Sequence, residues 1–270
     1  MALVSQGLEP EVMEEELLLR YLQESENRFQ TEAKERKVQL PEHGMWEVAL
    51  LVIDEIPMHD ASYDFLNLLD VSHPRYIGWP VWPASWRFTD KGARPYIFQG
   101  AWEAFIILGS DSSTQIDFMP LDPKGWFYLR RPLREDVSDN RQASASRPIL
   151  DVRMQVMNIA EAIALGLAFA KAMGCPAENT QLSFAFKWTK LGGRYLPTLL
   201  AQLAPDIVSE RSAYQDEVLS SVLIPLDTPL SALSSFVNQA VQPLFRVFEG
   251  FVLPHDVVED LTRRLIERRL

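Results

Sequence analysis

Ala101-Trp-Glu-Ala-Phe-Ile-Ile-Leu108, Gln115-Ile-Asp-Phe-Met119 and Gly125-Trp-Phe-Tyr-Leu-Arg-Arg131 decide how this chain folds. Each is a short run of β-branched and aromatic residues. Between them stand Gly109-Ser-Asp-Ser-Ser113 and Leu121-Asp-Pro-Lys124, which are too short and too polar for a crossover helix. Short connections join antiparallel neighbours, so the spacing predicts a three-stranded meander. In the third run the period of two sets Trp126, Tyr128 and Arg130 on one face and Phe127, Leu129 and Arg131 on the other. Both faces begin apolar and end in a guanidinium, so one end of this strand is expected to meet solvent or an acidic partner.

Working outward, Trp46-Glu-Val-Ala-Leu-Leu-Val-Ile-Asp54 reads as a buried strand, and Leu182, Phe184, Phe186 and Trp188 alternate with smaller or polar residues as a second. Glu217 to Leu226 reads as a third. Helical spacing appears at Ser62 to Leu69 and, most clearly, at Val152, Val156, Ile159, Ile163 and Leu167, where Gly174 and Pro176 mark the end. Gly166 inside that helix implies close packing against another element. Thr228-Pro229 opens a further helix toward Phe245, with Pro243 expected to end or kink it. In the last helix, Asp256 to Arg269, acids come early and arginines late, the order that complements the helix dipole. From Glu9 to Lys37 there is no Gly and no Pro after Pro10, and Leu18, Leu22 and Phe29 form a short apolar stripe. We read this as one long exposed helix that either packs on its own domain or serves assembly. The fold class is therefore α+β: a mainly antiparallel sheet packed with several helices and preceded by a long N-terminal helix. Residues 1–38 hold that helix and residues 39–270 the globular domain.

Composition excludes several classes. A lone cysteine, Cys175, rules out an internal disulfide or a cysteine-rich zinc site and fits the cytoplasm. No basic-then-apolar leader opens the chain, and no apolar run is long enough to span a bilayer, so membrane attachment is not expected. The net charge of −11 disfavours a chain devoted to nucleic acid, although Arg130, Arg131, Arg134, Arg141, Arg147 and Arg153 make one region locally basic. His43, His59, His73 and His255 form no metal-ligand spacing, and there is no nucleophile elbow, phosphate loop or dinucleotide glycine pattern. No catalytic residue, metal or cofactor is assigned.

Three constellations remain. Gly192-Gly193 is either a tight turn or, with Lys187, Lys190 and Arg194, a minimal nest for a small anion. Glu103 and Asp117 sit inside apolar strands, where a carboxylate needs a partner; arginine ion pairs are the default, and a hydrolytic pair in an aromatic cleft, with Glu135 as a further acid, is the alternative. Five of the seven tryptophans lie between Trp79 and Trp126, beside tyrosines and arginines. They either pack the sheet or form a recognition surface, for which we select Trp79, Trp82, Trp86, Arg87, Arg94, Trp126, Tyr128, Arg130, Arg134 and Arg194. A nucleotide or single strand could stack there beside Arg75, Arg87 and Arg94, although the overall acidity counts against long polymers.

Three segments in order, His73-Pro-Arg-Tyr-Ile-Gly-Trp79-Pro-Val-Trp82, Gly125-Trp-Phe-Tyr-Leu-Arg130 with Glu135-Asp136, and Trp188-Thr-Lys-Leu-Gly-Gly-Arg194-Tyr-Leu, resemble the C-terminal region of bacterial proteins that carry a Schlafen-type AlbA DNA-binding domain. The resemblance spans Gln39 to Arg269 and rests on aromatic and glycine landmarks. It implies a non-enzymatic sensing, regulatory or scaffolding module of a bacterial intracellular system, linked to stress or defence, that binds a partner protein or small ligand. Only the helix from Glu9 to Lys37 stands upstream, so it also implies either a stand-alone relative or an effector in a separate chain. Self-association through that helix is a further expectation.

Overall fold

The computed structural model describes residues 10–53, 56–76, 92–108, 115–137, 148–196 and 211–269, with side chains from Glu14 onward. Seven antiparallel strands form one sheet. β3 (Ala101–Leu108), β4 (Gln115–Asp122) and β5 (Trp126–Pro132) make the meander that the spacing predicts, with Phe105 opposite Phe118 and Leu121 opposite Phe127. β1 (Met45–Ile53) lies at the centre between β5 and β6 (Gln181–Trp188), and β9 (Val218–Pro225) forms one edge. The other edge is β2 (Tyr96–Phe98), which the sequence reading did not anticipate. It turns into β3 through Gln99 and Gly100, both at positive φ (49° and 84°), the backbone of a tight two-residue hairpin. β4 continues past Pro120; its pairing with β5 lapses at Met119 and Pro120 and resumes at Leu121, as a residue without an N–H requires. A small second sheet pairs β7 (Tyr195–Leu196) with β8 (Arg211–Ser212).

Both sheet faces are covered. On one, Val48 and Leu50 of β1 and Phe184, Phe186 and Trp188 of β6 pack under α4 (Val152–Ala172), α5 (Leu233–Arg246) and α6 (His255–Ile266), while α2 (Tyr63–Ser72) packs on α4. Asp151 caps α4 by accepting from the amides of Arg153 and Met154. By length and composition α4 could cross a membrane, but it is mostly buried here, as the core helix of a soluble protein is. A Cβ on Gly166 would stand 2.5 Å from Cζ of Phe184 and 3.0 Å from Cδ2 of Leu50, so only glycine lets α4 approach the sheet this closely. Pro243 does not end α5; the helix runs on to Arg246, and the proline falls in its last turn.

The opposite face belongs to α1 (Pro10–Glu35). Leu18, Leu22, Phe29 and Ala33 are buried against Ala49, Leu51, Phe105, Ile116, Phe118, Tyr128 and Ala185. Of the two readings of this helix, α1 takes the one in which it packs on its own domain, and its stripe is unavailable to a partner while it stays docked. Burying three large apolar side chains contributes about 6 kcal/mol before entropy is counted. The middle of the stripe is polar, Ser25 and Glu26, and this gap marks the ion pairs described below.

Gly166→Ala is expected to destabilise the protein by about 1–3 kcal/mol in urea unfolding despite alanine's better helix propensity, because the methyl must displace the Phe184 ring.

Candidate functional site

Glu47 is the one charge in the otherwise apolar β1 and has no exposed surface. Antiparallel register places Arg130 of β5 directly opposite on one side and Lys187 of β6 on the other. The Arg130 guanidinium donates through Nη1 to Oε1 of Glu47 at 2.5 Å and to Oε1 of Glu26 in α1 at 3.1 Å, while the Tyr128 hydroxyl donates to Oε2 of Glu47 at 2.6 Å. Lys187 donates to the other oxygen of Glu26 at 3.0 Å. Burial pushes the Glu47 carboxyl above its ordinary range, with Arg130 and Tyr128 opposing. For the half-buried Glu26, burial is outweighed by Lys187 and Arg130, which hold it below that range. One guanidinium therefore ties α1 to the sheet centre.

A second set anchors the other half of α1. Arg28 grips Glu103 with two parallel hydrogen bonds, Nε to Oε1 at 3.1 Å and Nη2 to Oε2 at 2.8 Å, and also bonds Glu32. Arg36 bonds Glu32 at 2.6 Å and the carbonyl of Gly92 at 2.8 Å. Asp117, on the opposite sheet face, accepts from Arg131 at 3.0 Å and Gln115 at 3.1 Å. Glu103 and Asp117 thus face opposite ways, each held by an arginine. They form no catalytic pair.

Where the C-terminal half of α1 meets the ends of β1, β4 and β5, a recess of about 190 Å³ opens. Its walls are largely apolar, from Leu40, Met45 and Ile116 among others, and its chargeable lining side chains are Arg130, Lys190 and His43. All three are basic. The Arg130 side chain is 8% exposed, and its Nε meets no acceptor among the described residues. Lys190 sits at φ +53°, a left-handed conformation that costs a lysine on the order of 1 kcal/mol or more, and its Nζ lies 4.0 Å from Glu42.

On the far side of the sheet end, the landmarks around Glu135 and Trp188 converge. Glu135, in the short α3 (Arg134–Val137), accepts from the Asp151 amide at 2.5 Å and from Gln155, whose Oε1 in turn accepts from the Trp188 indole at 3.0 Å. Its second oxygen is buried without a partner among the described residues. Burial pushes this carboxyl up to about 7, with the Asp151 amide opposing. The Arg194 side chain is 4% exposed; it donates to Asp136 at 2.5 Å and to the carbonyls of Lys190 and Ile149. The neighbouring glycine amides serve structure too: Gly192 donates to Asp216 and Gly193 to the Ala213 carbonyl. Of the two readings of Gly192-Gly193, the tight turn is the one the structure has.

Comparison with family models, with curated proteins and with solved structures returned no match. The site therefore rests on geometry alone. Trp79, Trp82, Trp86 and Arg87 lie outside the described residues. The remaining selected residues do not share one surface. Arg94 and Arg134 are exposed, Arg134 with Nη1 3.3 Å from Sδ of Met154. Trp126 is half-buried edge-on to Tyr21 of α1 at 5.2 Å, Tyr128 and Arg130 lie under α1, and Arg194 is interior. The acidic partner expected at the β5 end is internal, being Glu47 and Glu26. Sequence reading passed over both, although a lone glutamate in an apolar strand was a usable signal.

Glu47→Ala leaves Arg130 buried without its main counter-ion and is expected to cost about 3–5 kcal/mol in chemical unfolding, whereas Ser221→Ala, which removes an exposed bond to Glu15, should change stability by less than about 0.5 kcal/mol. Glu135 binds its proton more tightly folded than unfolded, so its contribution is intact below about pH 4.5 and is lost as pH rises to about 7. Glu135→Gln should abolish that decline and gain up to about 3 kcal/mol over wild type at pH 8, read from melts across pH.

Proposed function

We propose that this chain is a non-enzymatic sensing module in which a small molecule occupies the recess at the end of α1 and the helix reports its presence. One observation carries the reading: Arg130 lines the recess and is also the residue that joins Glu26 of α1 to Glu47 of the sheet. Any ligand drawing on that guanidinium competes with the contacts that dock α1, so occupancy and docking share free energy.

The commitment of Glu103 and Asp117 to arginines favours binding over hydrolysis. The resemblance to regions that accompany Schlafen-type AlbA domains supports a bacterial intracellular setting, with an effector or partner chain receiving the signal. Arg94 and Arg134, on the outside of the fold, are the described members of the selected surface that a partner could reach.

The test is to find compounds that raise or lower the melting temperature, keep those whose effect is lost in Leu40→Trp, which fills the recess, and follow amide hydrogen exchange in α1. Exchange around Glu26 is expected to quicken when such a compound binds. A recess binder that leaves α1 exchange untouched, or a broad set with no recess binder, would overturn the reading.

A further inference from the structure

The character of the recess narrows what it can hold. Its volume of about 190 Å³ exceeds the roughly 150 Å³ that encloses a benzene ring in a protein interior, so a single-ring or short-chain body fits within it. Leu40, Met45 and Ile116 give such a body an apolar surface. Among the described residues no lining side chain is acidic, in a chain whose net charge is −11. A cationic ligand would meet Arg130, Lys190 and His43 with no carboxylate on the wall to receive it.

Cations that could receive an anion already line the recess. Arg130 lines the recess and uses Nη1 on Glu47 and Glu26, while its Nε is buried and meets no acceptor among the described residues. A carboxylate entering the recess competes for the guanidinium with Glu26, the longer of its two carboxylate contacts at 3.1 Å, while the 2.5 Å contact to Glu47 persists. Lys190 is loosely held, its one ion pair among the described residues being with Glu42 at 4.0 Å, a carboxylate almost wholly in solvent. Its left-handed backbone is a second sign of a residue kept in place against local preference, since asparagine or glycine would occupy that position with less strain.

We propose that the recess is a site for a small organic carboxylate with a compact apolar body, its carboxylate received by Arg130 and Lys190 and its body by the Leu40, Met45 and Ile116 wall. This rests on the sensing reading for its site but makes a separate claim, about charge and size.

The probe is benzoate, titrated calorimetrically into the full chain beside benzyl alcohol, benzylamine and inorganic phosphate. Benzoate is expected to bind one-to-one with a Kd on the order of 1 mM or tighter, and at least about tenfold more tightly than each of the other three. Lys190→Asn, which suits the left-handed backbone and preserves the fold, should weaken benzoate at least about threefold without lowering the melting temperature. Leu40→Trp should abolish binding. Equal binding of benzyl alcohol or benzylamine would overturn the anion claim, and stronger binding of phosphate would overturn the apolar-body claim. Benzoate binding unchanged in Leu40→Trp, or absent from wild type, would overturn the site. The sensing reading stands or falls separately on α1 exchange, because a neutral recess ligand that quickens it would sustain sensing while ending the carboxylate assignment.

Discussion

The Arg130 to Glu47 ion pair is the contact on which the rest of the structure turns. Glu47 stands in the central strand with no exposed surface, where an unpaired carboxylate would be costly enough to stay protonated or to pull the strand apart. Antiparallel pairing of β1 with β5 sets the guanidinium opposite it, and α1 then seals the pair from water and adds Glu26. The sheet can keep charge in its middle only because a helix lies over it, and the helix can lie there only because the charge supplies counter-ions for its own polar gap. Each half is incomplete alone.

This mutual dependence separates the two faces of the sheet. Under α4 the contact is apolar and close-packed, fixed by Gly166 against Phe184. Under α1 it is mixed, with phenylalanines flanking a network of Glu26, Arg28, Glu32, Glu47, Glu103, Arg130 and Lys187. A well-packed apolar interface resists small perturbations. An ionic one responds to anything that changes the charge balance, which makes the α1 face the natural place for a signal to enter.

Much of the fold was legible in the chain because it depends on local pattern. Period-two alternation at 126–131 assigned the two faces of β5 correctly, and the spacing of Val152, Val156, Ile159, Ile163 and Leu167 marked α4. What local pattern could not supply was pairing across long stretches of chain. Nothing beside Arg130 says that its acid is Glu47, or that a helix about a hundred residues earlier covers both. The short β2 escaped notice because three residues carry too little periodicity, and Pro243, expected to end or kink its helix, does not end it because the buried side chains of Ala240, Val241, Leu244 and Phe245 hold the helix on both sides of the proline. The candidate site was partly legible: Arg130 and the buried carboxylates stood out by residue type, whereas the recess arises from chain folding and has no signature in sequence.

The order of the contacts along the chain has a consequence for biosynthesis. α1 is translated before every residue that holds it: its salt-bridge partners lie 75 positions later at Glu103, 104 later at Arg130 and 161 later at Lys187. Docking of this amphipathic helix therefore waits for the strands, since loop closure over such distances gains nothing until the sheet exists. The same separation means that both the apolar stripe and the ion pairs of α1 are made with residues distant in sequence, so the helix and the sheet beneath it complete each other late.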